Sequence, residues 1–220
     1  MTSDANNLAD ARRRRRLCYA VVGLALVVFG FLFLCATSHF WVYLALSVAA
    51  LCSIALIMER EPMRAALRDT GGYGAVKAVA LGLASAAILY GVFLLGNVTA
   101  RALLPFGGAE IEAVYGLGAT IPRWVIAILL ILVVGPGEEF FWRGYVQRRL
   151  SAEFGWPGLA ASVLAYGGAH VVTCNLMLIL AALVCGSFWA LLYHRYRSLR
   201  INMISHAAWA VSIFVLCPMS

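Results

Sequence analysis

Long apolar stretches, separated by short polar ones, run through the whole chain. A bilayer's ~30 Å hydrocarbon core needs about 20 apolar residues per helical crossing. Seven candidate spans meet that requirement, roughly 17–36, 40–58, 75–97, 122–147, 157–174, 176–193 and 201–217, the last three short and closely spaced. The pattern predicts an all-α, polytopic membrane helix bundle. An eighth, broken segment within 98–121 has Glu110 and Glu112 against it. That stretch, with Pro105, Gly107, Gly108, Gly116 and Gly118, reads as the longest loop. Glu59–Thr70 is amphipathic and charged, and is expected at the membrane interface. In the third span, Ala78, Gly82 and Ala86 recur every four residues, a spacing that permits close helix contact. There is no internal repeat and no soluble domain. The organisation expected is a basic segment at 1–16, a first group of spans and loops at 17–121, and a core at 122–217.

Composition agrees with this reading: 63% of residues are hydrophobic and 12% charged, far from a soluble globular protein. Arg12 to Arg16 followed by an apolar run imitates a secretory signal. The run, however, reaches about Ala36 without a small-x-small cleavage site, and further spans follow. It reads as a first transmembrane helix with a basic cytoplasmic flank. Arg60, Arg64 and Arg68, then Arg148 and Arg149, then Arg195, Arg197 and Arg200 fall on that same side if seven spans are counted. The expected location is the cell membrane, multi-pass, with a cytoplasmic N-terminus. The net charge of +7 is then a topology signal and a set of lipid-headgroup contacts, not a nucleic-acid footprint. The six cysteines lie in apolar segments without CxxC spacing and read as packing residues, not a zinc site or a disulfide framework.

Against this background the polar residues inside the spans carry the information. Glu138 and Glu139 lie side by side in the fourth span, and a carboxylate in hydrocarbon costs roughly 3 kcal/mol even on the lenient insertion scale. Glu139 and Arg143 are four apart, in the favourable order for a helical pair. Glu138 points about 100° away and is left without a partner. The bland alternative is that both glutamates join helices. The fifth span carries Tyr166 and His170 on one face, and the seventh carries Asn202, Ser205, His206 and Trp209. One unpaired glutamate and two buried histidines on three helices form a candidate convergent site. A carboxylate can take a proton from water, a histidine can hold that water or protonate a leaving amine, and a further donor can stabilise an oxyanion. The same Glu/His/His set could ligate zinc, but the HExxH helix is absent. Neither a metal nor a cofactor is expected. A proton-coupled transporter could use the same groups, but paired broken helices in two related halves are lacking.

Glu138-Glu139-x-x-x-Arg143-Gly144 resembles the EExxxR(G) signature of the CPBP family, the CAAX proteases and bacteriocin-processing enzymes. Tyr166-x-x-x-His170 is similar to its second motif, the helix Gly186–Tyr193 to its third core helix, and His206 to the His of its final His-x-x-x-Asn. The resemblance covers about 122–217. It implies a glutamic-type intramembrane endopeptidase in which Glu138 and His170 activate water and His206 and the final Asn form the oxyanion hole. Glu139 and Arg143 would support the site. The implied partners are the lipid bilayer and a peptide or protein substrate at the membrane, lipidated or offering a C-terminal tail.

The chain departs from that pattern at Ala210, where the family carries the Asn. A methyl group cannot donate to an oxyanion, and losing one such donor typically costs ~10²–10³ in rate. Three readings stay open. Asn202, one turn before His206, substitutes; the enzyme works with His206 alone or with another donor; or the protein is a non-catalytic binding or immunity scaffold. One geometric condition also remains. Counting about 1.5 Å per residue from the expected span ends separates Glu138 and His170 by about 10 Å in depth. Tilt, an extension at Trp156-Pro157 or distortion at Gly135-Pro136-Gly137 must close that gap.

Overall fold

A computed structural model describes residues 2–35, 38–117 and 120–219, with backbone only for 2–11. Ala36 and Gly118, counted above in the first span and the long loop, lie outside these residues. The described chain is helical throughout: α1 (Thr2–Cys35), α2 (Phe40–Met58), α3 (Arg60–Arg68), α4 (Ala75–Leu103), α5 (Gly107–Tyr115), α6 (Arg123–Phe154), α7 (Trp156–Gly168), α8 (Leu176–Tyr196) and α9 (Leu199–Leu216). Six of these helices are long and apolar enough to cross a membrane, α1 from Arg12 onward, then α2, α4, α6, α8 and α9.

The expected span at 157–174 is not one continuous helix. Helix α7 has 13 residues, about 20 Å at 1.5 Å per residue, too short to cross alone. A turn and one 3₁₀ turn at Val171–Thr173 complete the passage. That passage still runs from one end of the bundle to the other. At its start Trp156 lies against His194, ring centroids 4.5 Å apart. Just past it, the Met177 amide donates to Glu110 Oε2 at 2.9 Å.

The arginine clusters gather at one end. Arg15 pairs with Glu153 at 2.7 Å, and Glu59 takes Arg148 at 2.9 Å and Arg149 at 3.6 Å. The amphipathic 59–70 segment is α3, with Met63 and Ala66 buried. At the opposite end the long loop contains α5. Leu117 and Thr120 tie it back to the start of α2, through the Trp41 indole donating to Leu117 O and Thr120 Oγ1 donating to Ser38 O. Between the two ends, large apolar side chains such as Phe31, Ile57, Val76 and Leu95 are more than two-thirds exposed. Such a belt is stable where its solvent is hydrocarbon.

The small-residue stripe of the third span packs inward as expected: Ala78, Gly82 and Ala86 are buried. A Cβ on Gly82 would come within 2.6 Å of Ile204 and 3.1 Å of the Ile201 carbonyl. Without that Cβ, α4 lies backbone-close against α9, the helix that carries His206.

Candidate active site

Helix α6 is irregular where it carries the two glutamates. It widens into i→i+5 turns at Leu130–Val134, tightens to one α turn at Gly135–Glu138, and widens again over Glu139–Gln147. Pro136 has no N–H to return to the preceding turn, and this interrupts the regular ladder. Wide turns of this kind recur at functional sites. The flanking glycines bring neighbours close. A Cβ on Gly135 would lie 3.0 Å from the Ala207 backbone of α9, and one on Gly137 would overlap Val48 of α2.

Glu139 is fully buried and is the hub of the site's polar network. Its Oε1 accepts from Arg143 Nη1 at 3.0 Å and from His206 Nδ1 at 2.8 Å, and its Oε2 accepts from Asn202 Nδ2 at 3.0 Å. Arg143, 2% exposed, also donates Nη2 to the Gly186 carbonyl at 3.1 Å and lies 4.8 Å from the Tyr166 ring centroid. One carboxylate thus joins α6 to α9, and through Arg143 to α8. The i,i+4 pairing expected of Glu139 and Arg143 is present, and His206 and Asn202 extend it. A buried ion pair is tolerable when its remaining hydrogen-bonding capacity is met, and here three donors share the two carboxylate oxygens.

His206 is oriented by this hub. With Nδ1–H on Glu139, its Nε2 is the free ring nitrogen. The ring stacks on Trp189 at 3.8 Å between centroids, with planes 14° apart, and the Trp189 indole donates to Ser205 Oγ at 3.2 Å.

Glu138 has a separate environment. Tyr166 Oη donates to its Oε2 at 3.0 Å, which leaves Oε1 without a protein partner among the described residues. His170 bonds through Nδ1 to the Tyr166 carbonyl at 3.0 Å. A carbonyl only accepts, so Nδ1 carries the proton and Nε2 of the neutral ring is free to act as a base. His170 does not sit on a helix as expected. α7 ends at Gly168, and His170 occupies the turn before the 3₁₀ segment, its ring 5.1 Å from Phe33 of α1.

Glu138 and His170 line one cavity of about 630 Å³, together with His206, Tyr166 and Ala210. The sequence estimate had α6 ending at 147, whereas it runs to Phe154. Glu138 therefore lies near the middle of its helix, and Tyr166 links it to His170, its hydroxyl bonded to Glu138 and its carbonyl to the His170 ring. The rest of the cavity wall is mostly apolar, from α1, α2, α4, α5 and α8, including Phe29, Leu44, Phe93 and Leu178.

Asn202 is placed differently from one of the readings given above. It is fully buried and does not line the cavity, and its amide nitrogen is committed to Glu139 and, at 2.8 Å, to the Trp189 carbonyl. Both N–H groups are spent, so the amide is not free to meet an oxyanion. Its geometry is that of a support for Glu139. Ala210 does line the cavity. Trp189, the platform under His206, was not singled out from sequence. Its signal was faint: an aromatic three residues after Gly186 on the helix resembling the third core element. Among the described residues no three His, Cys, Asp or Glu side chains form a metal-holding group, and all six cysteines are free thiols.

Residues 120–212 match the family model described as type II CAAX prenyl endopeptidase Rce1-like. No curated protein and no solved structure matches the chain.

Proposed function

We propose, from the match of residues 120–212 to the Rce1-like type II CAAX prenyl endopeptidase family model, that the chain hydrolyses a peptide bond of a membrane-associated substrate within the α6–α9 cavity. The observation that carries this reading is the convergence of Glu138, His170 and His206 on one largely apolar cavity.

In the proposed reaction a water molecule lies between Glu138 Oε1 and His170 Nε2. Glu138 takes a proton as the water oxygen adds to the carbonyl carbon. Tyr166 holds the other carboxylate oxygen and fixes the approach of Oε1. The negative charge that develops on the carbonyl oxygen faces His206 Nε2, which donates to it when both ring nitrogens carry protons, while Glu139 accepts from Nδ1 and orients the ring. The C–N bond then breaks and the proton held by Glu138 passes to the leaving amine. The new acid's proton ends on the released amine, so the products are a carboxylate and an ammonium group, and no covalent enzyme intermediate forms. The substrate envisaged is a peptide or protein segment at the bilayer, lipidated or offering a C-terminal tail. The arginine-rich end is assigned to the cytoplasm of a cell membrane by the excess of Lys and Arg there.

Ala210 favours a second reading. Its methyl faces the cavity where the family pattern has a donor, as in a scaffold that binds peptide without turnover. One experiment separates the two. The protein in nanodiscs is given a farnesylated CAAX peptide, and its cleavage and binding are compared with those of Glu138→Gln and His170→Ala. Hydrolysis by wild type, lost in both variants at unchanged unfolding midpoint, is the expected result. Undiminished cleavage by Glu138→Gln sinks the mechanism. Saturable binding without cleavage by wild type establishes the scaffold. A chelator arm distinguishes glutamate from metal chemistry.

A further inference from the structure

The stretch after α9 borders the cavity at Met219, beside Asn97, while Cys217, Pro218, Tyr90 and Arg101 lie outside its lining. After α9 the chain leaves helical geometry at Cys217 (φ −136°, ψ 67°) and runs on through Pro218 to Met219. Met219 is buried and lines the same cavity as Glu138, His170 and His206.

One face of α4 grips this stretch by its backbone. Tyr90, Asn97 and Arg101 lie at i, i+7 and i+11, in line along a helix. Tyr90 Oη donates to the Cys217 carbonyl at 3.1 Å, and Asn97 Nδ2 and Arg101 Nη2 donate to the Met219 carbonyl at 3.1 and 3.3 Å. Arg101 Nε also donates to Asn97 Oδ1 at 3.0 Å, which turns the amide so that its N–H groups face Met219. Glu112 of α5 holds the guanidinium from the other side at 3.3 Å. Donors that address carbonyls and not side chains recognise peptide irrespective of sequence.

We propose that Tyr90, Asn97 and Arg101 form a subsite for the backbone of an extended peptide, and that Cys217–Met219 is its resident occupant, which a substrate must displace. This rests on the peptidase reading for its substrate class. A resident occupant lowers apparent affinity in proportion to the fraction of time it blocks the site. Arg101 further favours a peptide that ends in a free carboxylate at this point over its amide, because a charge-assisted bond is stronger than a neutral one.

The test uses the full chain in nanodiscs, in the Glu138→Gln background so that binding is read without turnover. The probe is a fluorescein-labelled farnesylated peptide of Cys followed by three residues, with free or amidated carboxyl end. Anisotropy gives affinity, and hydrogen exchange reports on 217–219. Met219→Gly is expected to tighten binding about fivefold by weakening the occupant. In the Met219→Gly background, where the occupant competes less, Asn97→Ala is expected to weaken binding about fivefold, and Arg101→Gln to abolish the preference for the free carboxylate. Saturating peptide should raise exchange at 217–219. Binding indifferent to all three substitutions, with exchange at 217–219 unchanged, overturns the proposal even if the wild-type protein cleaves the peptide. Displacement of 217–219 without any wild-type hydrolysis supports the subsite and overturns the peptidase reading instead.

Discussion

Replacing Glu139 by leucine removes the common acceptor of three buried donors in one step. Arg143, 2% exposed, would keep its charge with only the Gly186 carbonyl as hydrogen-bond partner, and His206 and Asn202 would each lose a bond of 2.8 or 3.0 Å. Breaking a buried pair by removing one partner costs about 3–5 kcal/mol, because the other charge is stranded. Arg143→Met strands Glu139 less completely, since His206 and Asn202 remain, so its cost should fall near the lower end of that range. The double replacement removes both charges. It should cost less than the sum of the single replacements by about 1–3 kcal/mol, the usual size of coupling between contacting residues. The assay is reversible unfolding in mixed micelles by SDS titration, followed by tryptophan fluorescence. Trp142, Trp189 and Trp209 are buried near the network. A cost below about 1 kcal/mol for Glu139→Leu, or strict additivity in the double variant, would refute the hub.

Further substitutions probe the rest of the site. Tyr166→Phe keeps the ring under Arg143 but removes the bond to Glu138; kcat should fall about 10- to 100-fold with little change in KM, the worth of one hydrogen bond to a charged group, and an unchanged kcat would remove Tyr166 from the mechanism. Ala210→Asn restores a donor on the cavity wall and should raise kcat by up to ~10²-fold if the missing oxyanion donor limits the rate; an unaltered rate would show that it does not. Gly137→Ala forces a methyl into Val48 and should lower stability by about 1–3 kcal/mol in the same SDS titration, with partial recovery in the Val48→Ala background. A full-strength Gly137→Ala protein would mean that α2 can shift away at no cost.

The sequence by itself determined the helical bundle, the membrane as its solvent and the identity of the charged pair. Each follows from local rules. Apolar runs of span length have no other stable solvent, and Glu139 and Arg143 meet because four residues close a helical turn. Ala78, Gly82 and Ala86 could be read as a packing stripe for the same reason. What only the tertiary structure decided depends on which helices lie side by side, and on where each one stops. The end of α6 at Phe154 set the depth of Glu138, and the early end of α7 put His170 on a turn. Neither stop carries a signal strong enough to place it within a few residues. The partner of His206 was equally hidden: sequence grouped it with Glu138, but the close contact of α6 and α9 at Gly135 gives its Nδ1 to Glu139. The stretch Cys217–Met219 meets Asn97 and Arg101 across more than a hundred residues of chain. No periodicity records that meeting, because it exists only once α4 and α9 lie against each other.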